Sequence, residues 1–316
     1  MKIVLTEDLG ITKDALREWI EPIEREGNEF VCFERTTDME LLTQEVRDAD
    51  VIMLANMPLP EEVLRQCENL RYVDIAFTGV DHVATNVLRE RGIPFSNASG
   101  YSTEAVSELG ICMALTLLRN VRQTEQRARN HGTKAGLVGN ELKGKTAGIV
   151  GLGHIGSRTA ELLHAFGCRV LACSRTIHRE CPCYVEQTDM NTLLSQSDIV
   201  FLHCPLNAST RGMIAKEQLE QMKRTGILIN LARGPVVDAH ALKEALENGR
   251  IAAAASDVFD KEPPLDDSEV LLSAPNMLLT PHIAFATEES MQMRAQIVFD
   301  NLHSFLRGDT ILNEVK

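Results

Sequence analysis

Thr146-Ala147-Gly148-Ile149-Val150-Gly151-Leu152-Gly153-His154-Ile155-Gly156 is the stretch whose reading decides the fold. A short apolar strand runs straight into glycines spaced G-x-G-x-x-G, and a helical stretch continues to Phe166. In that setting Gly151 permits a tight turn, Gly153 lets backbone approach a pyrophosphate, and Gly156 lets the helix pack closely on the strand. The helix N-terminus offers unpaired N–H groups to the anion. A second apolar strand, Arg169 to Cys173, closes a βαβ unit of about the expected ~30 residues. Strand, glycine loop, helix and strand in this order predict a dinucleotide site.

The end of the second strand bears on which dinucleotide. A carboxylate roughly 20 positions after the glycines binds a ribose 2′-hydroxyl, whereas a nearby Arg accommodates a 2′-phosphate. Here the aligned position is Ser174, followed by Arg175 and Thr176. A guanidinium fork between two hydroxyls suits a phosphate. The expectation is NADP(H) in preference to NAD(H), with NAD(H) possible.

Working outward, apolar strands at Lys2 to Leu5, Val51 to Leu54 and Tyr72 to Ile75 alternate with helical stretches at Lys13 to Glu26 and Val83 to Glu90. A long helical run follows, Thr103 to about Asn130. After the glycine loop the rhythm resumes with strands at Ile199 to Leu202, Ile227 to Asn230, Ala252 to Ser256 and Met277 to Leu279. This alternation predicts an α/β protein with two doubly wound parallel sheets. One is a Rossmann-type nucleotide domain over residues 99–286. The other is a flavodoxin-like substrate domain over 1–98, completed by 287–316 because the last helical stretch, about Glu288 to Leu306, follows every strand of the nucleotide unit. The chemistry is expected in a cleft between them, outside the carboxyl ends of the strands.

Composition narrows the function classes. The chain has 316 residues, 44% hydrophobic and 24% charged, with a formal net charge of −13. That balance argues against nucleic acid or an anionic membrane as partner. No apolar run approaches the ~18 residues of a membrane helix, and the first residues read as a strand rather than a signal peptide, so a cytoplasmic location is expected. Eight cysteines without the density of a secreted scaffold read as reduced thiols. His178, Cys181 and Cys183 cluster, but Cys-x-Cys is not the usual ligand spacing and no second ligand pair stands nearby, so no metal is expected.

Three later strands end in loops that carry reactive side chains: Arg233 after Asn230, Glu262 after Ser256, and His282 after Thr280. Together they suit reduction of a 2-keto acid. Arg233 can grip the carboxylate and adjacent carbonyl through charge-assisted bonds. His282 can donate a proton to the carbonyl oxygen as hydride arrives. Glu262 can hydrogen-bond the other ring nitrogen, fix the tautomer and favour the protonated ring. Reduction needs that ring protonated and oxidation needs it neutral.

The ordered motifs Gly151-Leu152-Gly153-His154-Ile155-Gly156, Leu231-Ala232-Arg233-Gly234, Asp257-Val258-Phe259 with Glu262-Pro263, and Pro281-His282-Ile283-Ala284 resemble the D-isomer-specific 2-hydroxyacid dehydrogenases along nearly the whole chain. The resemblance implies that Arg233, Glu262 and His282 are the catalytic trio. It implies that His154, Ile155, Cys204, Pro205, Thr210, Leu231, Ala232 and Asp257 line the cofactor. Gly79-Val80-Asp81 resembles the family loop whose backbone N–H groups bind the substrate carboxylate, so Gly79 and Val80 join Arg233 and His282 as substrate residues. Asn97-Ala98 followed by Glu104 to Leu118 resembles the linker into a long interdomain helix. A homodimer, associated through the nucleotide domain and that helix, is implied too.

Within the family, Ser174 in place of an acidic residue is similar to the glyoxylate and hydroxypyruvate reductase branch, and Glu262 rather than Gln speaks against the formate dehydrogenase branch. Phe285 stands where a Gly often follows, and Phe77 precedes the substrate loop; each can shape a pocket or simply pack. The leading expectation is an NADPH-preferring reductase of glyoxylate or hydroxypyruvate. Two other readings stay open: the same fold acting on phosphite, and a nucleotide-sensing, peptide-binding protein like the family's corepressor relatives.

Overall fold

A computed structural model describes residues 1–175 and 181–316. The chain divides into two compact units, Met1–Ser102 with Ala286–Lys316, and Thr103–Phe285.

The first unit holds strands β1 (Lys2–Leu5), β2 (Glu29–Cys32), β3 (Val51–Leu54), β4 (Tyr72–Ile75) and β5 (Phe95–Asn97). All pair in parallel in the order β2-β1-β3-β4-β5. That is the flavodoxin-like order, whose switch point lies between β1 and β3. Every residue of β3 and β4 is buried, as expected of central strands covered on both faces. The closing helix, Glu288–Arg307, belongs to this unit: Val298, Phe299 and Leu302 are buried and Phe305 stacks on Tyr72 with centroids 4.5 Å apart. After it the chain pairs antiparallel with β5, through Glu314 opposite Ser96.

The second unit holds β6 (Thr146–Val150), β7 (Arg169–Cys173), β8 (Val185–Gln187), β9 (Ile199–Leu202), β10 (Ile227–Asn230), β11 (Ala253–Ser256) and β12 (Met277–Leu279). They form one parallel sheet in the order β12-β11-β10-β9-β6-β7-β8, the Rossmann arrangement with one added strand. Because side chains alternate across a strand, each strand feeds two cores. Ala147, Ile149, Ile199, Phe201, Ile227 and Ile229 enter one, and Val150, Val200, Leu202 and Leu228 enter the other. This explains why the strands read as unbroken apolar runs.

One expectation needs correction. The long run from Thr103 to Asn130 is two helices, Thr103–Leu118 and Val121–Arg129. Asn120 between them takes the left-handed conformation at φ 51°, which Asn tolerates better than most residues and which no helix continues through. Among the described residues no helix is long and apolar enough to cross a membrane.

Candidate active site

The glycine loop follows β6 as the spacing predicts. Gly151 sits at φ 99°, and a Cβ there would lie 2.8 Å from the His203 carbonyl, so the loop after β6 passes directly beside the loop after β9. A Cβ on Gly156 would come within 2.0 Å of the Gly151 carbonyl oxygen, which makes the close helix-to-loop packing a glycine requirement. Gly153 is different: nothing lies within 4 Å of where its Cβ would be. This open face stands at the N-terminus of the helix His154–Ala165, with exposed His154 beside it. Bare backbone, free space and helix N–H groups together fit a dinucleotide pyrophosphate.

Of the other predicted cofactor residues, Ile155 stands in the first turn of the helix after the glycine loop and the rest on loops beyond strands of the same sheet. Ile155 is half-buried, and its carbonyl accepts a hydrogen bond from Ser107 Oγ at 3.2 Å. Thr210 Oγ1 donates to the Pro205 carbonyl at 2.7 Å, which folds the segment after buried Cys204 into a compact turn. Leu231 and Ala232 are buried just beyond β10. Ser174 is half-buried and Arg175 exposed after β7. Thr176 and His178 lie outside the described residues. Cys181 and Cys183 carry free thiols.

Arg233, Glu262 and His282 sit on the loops after β10, β11 and β12. Asn230, buried at the end of β10, accepts from Ala232 N at 3.1 Å and donates through Nδ2 to the Arg233 carbonyl at 2.9 Å, fixing the turn that presents Arg233. Gly234 follows because there is no room for more: a Cβ would overlap the Phe259 backbone at 2.0 Å.

His282 Nδ1 bonds Glu262 Oε2 at 2.6 Å. The imidazole side chain is only 9% exposed while the Glu262 side chain is 39% exposed, so the ring is enclosed and its charge partner reaches solvent. With Nδ1 committed to a carboxylate, that nitrogen carries the proton. Phe285 meets the ring edge-to-face at 5.3 Å and helps hold its plane. The backbone of His282 is left-handed, φ 56°. Asp257 holds it there. This fully buried carboxylate accepts from Thr280 Oγ1 at 2.5 Å, Ile283 N at 2.9 Å and Ala284 N at 2.8 Å, while its carbonyl accepts from His282 N at 2.8 Å. Burial pushes the Asp257 pKa up and those hydrogen bonds oppose the shift. Sequence reading placed Asp257 among cofactor-lining residues; its side-chain oxygens are engaged with the His282 loop.

In the first unit, Gly79 and Val80 lie on the loop after β4. Phe77, buried just before them, meets the His82 ring edge-on at 6.1 Å and lies 6.3 Å from the Tyr101 ring. Two further residues brace this edge: Arg294, which the sequence did not single out, and Asn97, read from sequence only as part of the linker. Arg294 is buried with its guanidinium 5.8 Å from the Tyr101 ring centre, and Asn97 donates to the Thr78 carbonyl at 2.8 Å. Arg294 stands in no recognisable motif; only a cation among apolar neighbours marks it.

Residues 111–284 match the family model for the D-isomer specific 2-hydroxyacid dehydrogenase, NAD binding domain. The chain belongs to this family. It is 36% identical to a hydroxypyruvate reductase of Blautia hydrogenotrophica, over 90% of this chain and 91% of that protein. It is 38% identical to a glyoxylate reductase of Thermofilum pendens, over 85% of this chain and 82% of that protein. A glyoxylate reductase structure from Paecilomyes thermophila superposes with a TM-score of 0.88 at 26% identity, covering 100% of this chain and 98% of the other. The protein is therefore a nicotinamide-linked oxidoreductase that interconverts 2-keto acids and D-2-hydroxy acids.

Proposed function

We propose that the protein is an NADP(H)-preferring reductase of small 2-keto acids, with glyoxylate and hydroxypyruvate as its leading substrates. The observation that carries the reading is the His282–Glu262 pair, 2.6 Å apart on a loop clamped by Asp257. A bound nicotinamide dinucleotide supplies the hydride donor or acceptor. Gly151, Gly153, His154, Ile155 and Gly156 would hold its pyrophosphate end, and Cys204, Pro205, Thr210, Leu231 and Ala232 would line the rest of its path. His282 Nε2 gives a proton to the carbonyl oxygen during reduction, and Glu262 stabilises the imidazolium that precedes the transfer. Arg233 binds the carboxylate and polarises the carbonyl. Gly79 and Val80 offer backbone N–H groups to the carboxylate.

Ser174 and Arg175, with Thr176, are the basis for preferring NADP(H), since a fixed cation beside hydroxyls favours a 2′-phosphate over a bare 2′-hydroxyl. Arg175→Ala should raise the KM for NADPH about tenfold and leave that for NADH nearly unchanged, an order expected for one charge-assisted contact. Equal effects on both cofactors would sink the phosphate assignment. The substrate reading is tested with glyoxylate, hydroxypyruvate, pyruvate, 2-ketobutyrate, 2-ketoisocaproate and phenylpyruvate, each with NADPH and NADH. Fastest turnover of the two smallest polar acids supports it, and faster reduction of the large apolar acids overturns it. A cytoplasmic homodimer is the assembly and location this reading carries.

A further inference from the structure

The first unit contains a polar chain, buried at Asp74, Ser96 and Asn301 and half-buried at its ends, that the chemistry above does not use. It begins where the segment after the closing helix lies along β5: Asn97 N donates to the Asn313 carbonyl at 3.1 Å and Val315 N to the Phe95 carbonyl at 2.9 Å. Asn313 Nδ2 then reaches Asn301 Oδ1 at 3.3 Å. Asn301, 1% exposed on the closing helix, turns its own Nδ2 to the Asn97 carbonyl at 3.3 Å and to Asp74 Oδ1 at 3.4 Å. Asp74, fully buried in β4, also accepts from Ser96 Oγ at 2.7 Å. Asn97 closes the chain. Its Oδ1 accepts from Ser99 N at 3.3 Å and its Nδ2 donates to the Thr78 carbonyl at 2.8 Å.

The amide orientations are set by what each end meets. Asp74 Oδ1 and the Asn97 carbonyl are acceptors, so Asn301 must present nitrogen to them and oxygen to Asn313. The Ser99 N–H demands an acceptor and the Thr78 carbonyl demands a donor, so Asn97 has one allowed orientation. Flipping either amide would oppose oxygen to oxygen and leave a donor without an acceptor.

The end of the chain is the informative point. A trans peptide is planar, so the Thr78 C=O and the Gly79 N–H lie in one plane and point in opposite directions. A side chain that fixes the Thr78 carbonyl therefore fixes the aim of the Gly79 N–H. Ala98 N, donating to the Phe77 carbonyl at 3.0 Å, fixes the preceding peptide in the same way. Two neighbouring residues, Asn97 and Ala98, thus hold two consecutive peptide planes of the loop.

We infer that Asn97, oriented by Asn301 and Asn313, is a positioning residue that aims the Gly79 amide at the carboxylate of the 2-keto acid. The inference rests on the reading of Gly79 and Val80 as the carboxylate loop. It makes the segment around Asn313 part of the substrate machinery, although that segment follows the closing helix and carries no reactive group of its own.

The test uses Asn97→Asp, which keeps size and removes the donor, and Asn313→Ala, which removes the remote end and leaves Asn97 in place. Hydrogen exchange of the peptide spanning residues 76–83, steady-state kinetics with hydroxypyruvate and glyoxylate, and NADPH affinity by fluorescence are read on both and on the wild-type protein. The expected result is faster exchange in both variants, with a KM for the keto acid raised about tenfold or more by N97D and about threefold by N313A. NADPH affinity stays within twofold and kcat falls less than KM rises. Unchanged exchange in N97D overturns the relay, whatever the kinetics. Faster exchange with unchanged KM overturns the positioning role and, with it, the assignment of Gly79 to the carboxylate. Failure of the wild-type protein to reduce any keto acid overturns the substrate reading itself, and the exchange result still decides whether Asn97 holds the loop.

Discussion

The proton-transfer assignment turns on His282, which combines an enclosed ring, an acidic partner at 2.6 Å and a left-handed backbone. The last property makes the choice of variant matter. Alanine at φ 56° adds strain on top of any chemical loss, whereas Asn shares much of the tolerance of His for that conformation. His282→Asn should therefore lower kcat by roughly 10²–10⁴, the usual contribution of a positioned general acid, while the melting temperature and NADPH affinity stay close to wild type. Turnover within threefold of wild type would remove the ring from the mechanism. Glu262→Gln should retain a hydrogen-bonding group without its charge, and a roughly tenfold or larger fall in kcat with little change in KM is expected because the imidazolium loses its stabilising partner. The placement of Arg233, Glu262 and His282 on loops beyond strand ends was legible in the sequence because each follows an apolar run in a motif. The clamp that Asp257 forms was not, since its three acceptor contacts are made to residues 23 to 27 positions away.

Among the elements, the loops after β10 and β11 show how backbone contact is written into composition. Gly234 leaves the Arg233 turn against the Phe259 backbone with no space for a methyl group, since a Cβ would stand 2.0 Å from the Phe259 carbonyl carbon. Backbone cannot rotate aside as a side chain can, so Gly234→Ala must part the two loops. Overpacking of this kind costs roughly 1–3 kcal/mol or more, and the displaced Arg233 should raise the keto-acid KM about tenfold. Thermal melting and steady-state kinetics on the same preparation check both, and an unchanged melting curve would mean that the loops separate freely. The central strands β1, β3, β4, β6, β9 and β10 were readable as apolar runs because both their faces are covered. The short strands β2, β5 and β8 were not singled out: they have three or four residues each and carry polar or exposed positions. The break at Asn120 was missed for a related reason, because one left-handed residue between two helices does not disturb a helical pattern on either side.

For the whole molecule, Asp74 in the first unit and His203 in the second are groups shifted chiefly by burial, without charged partners among the described residues, that respond to pH in opposite senses. In the first unit burial raises the Asp74 pKa to about 7, against the opposing hydrogen bonds from Ser96, Asn301 and Tyr72, and Asp74 Oδ2 has no protein hydrogen-bond partner. In the second unit some of the surface of His203 is accessible but its Nδ1 is sealed without a partner, and burial lowers its pKa to about 4. Asp74 is raised on folding, so the stability it contributes is complete below the ordinary carboxylate range and is lost as pH rises toward about 7. His203 is lowered on folding, so its contribution is complete above the ordinary imidazole range and is lost as pH falls toward about 4. Each group can change stability by at most about 1.4 kcal/mol per pH unit across its window. Replacing each group by a neutral amide isolates its share. Asp74→Asn should gain melting temperature relative to wild type at pH 7.5 over its value at pH 5, because the wild-type protein bears the buried charge only at the higher pH. His203→Gln should do the reverse, faring better relative to wild type at pH 5. Calorimetry of the two variants and the wild-type protein at both pH values checks the pair of signs. If both variants shift in the same direction between the two pH values, burial does not govern one of these groups in the folded protein.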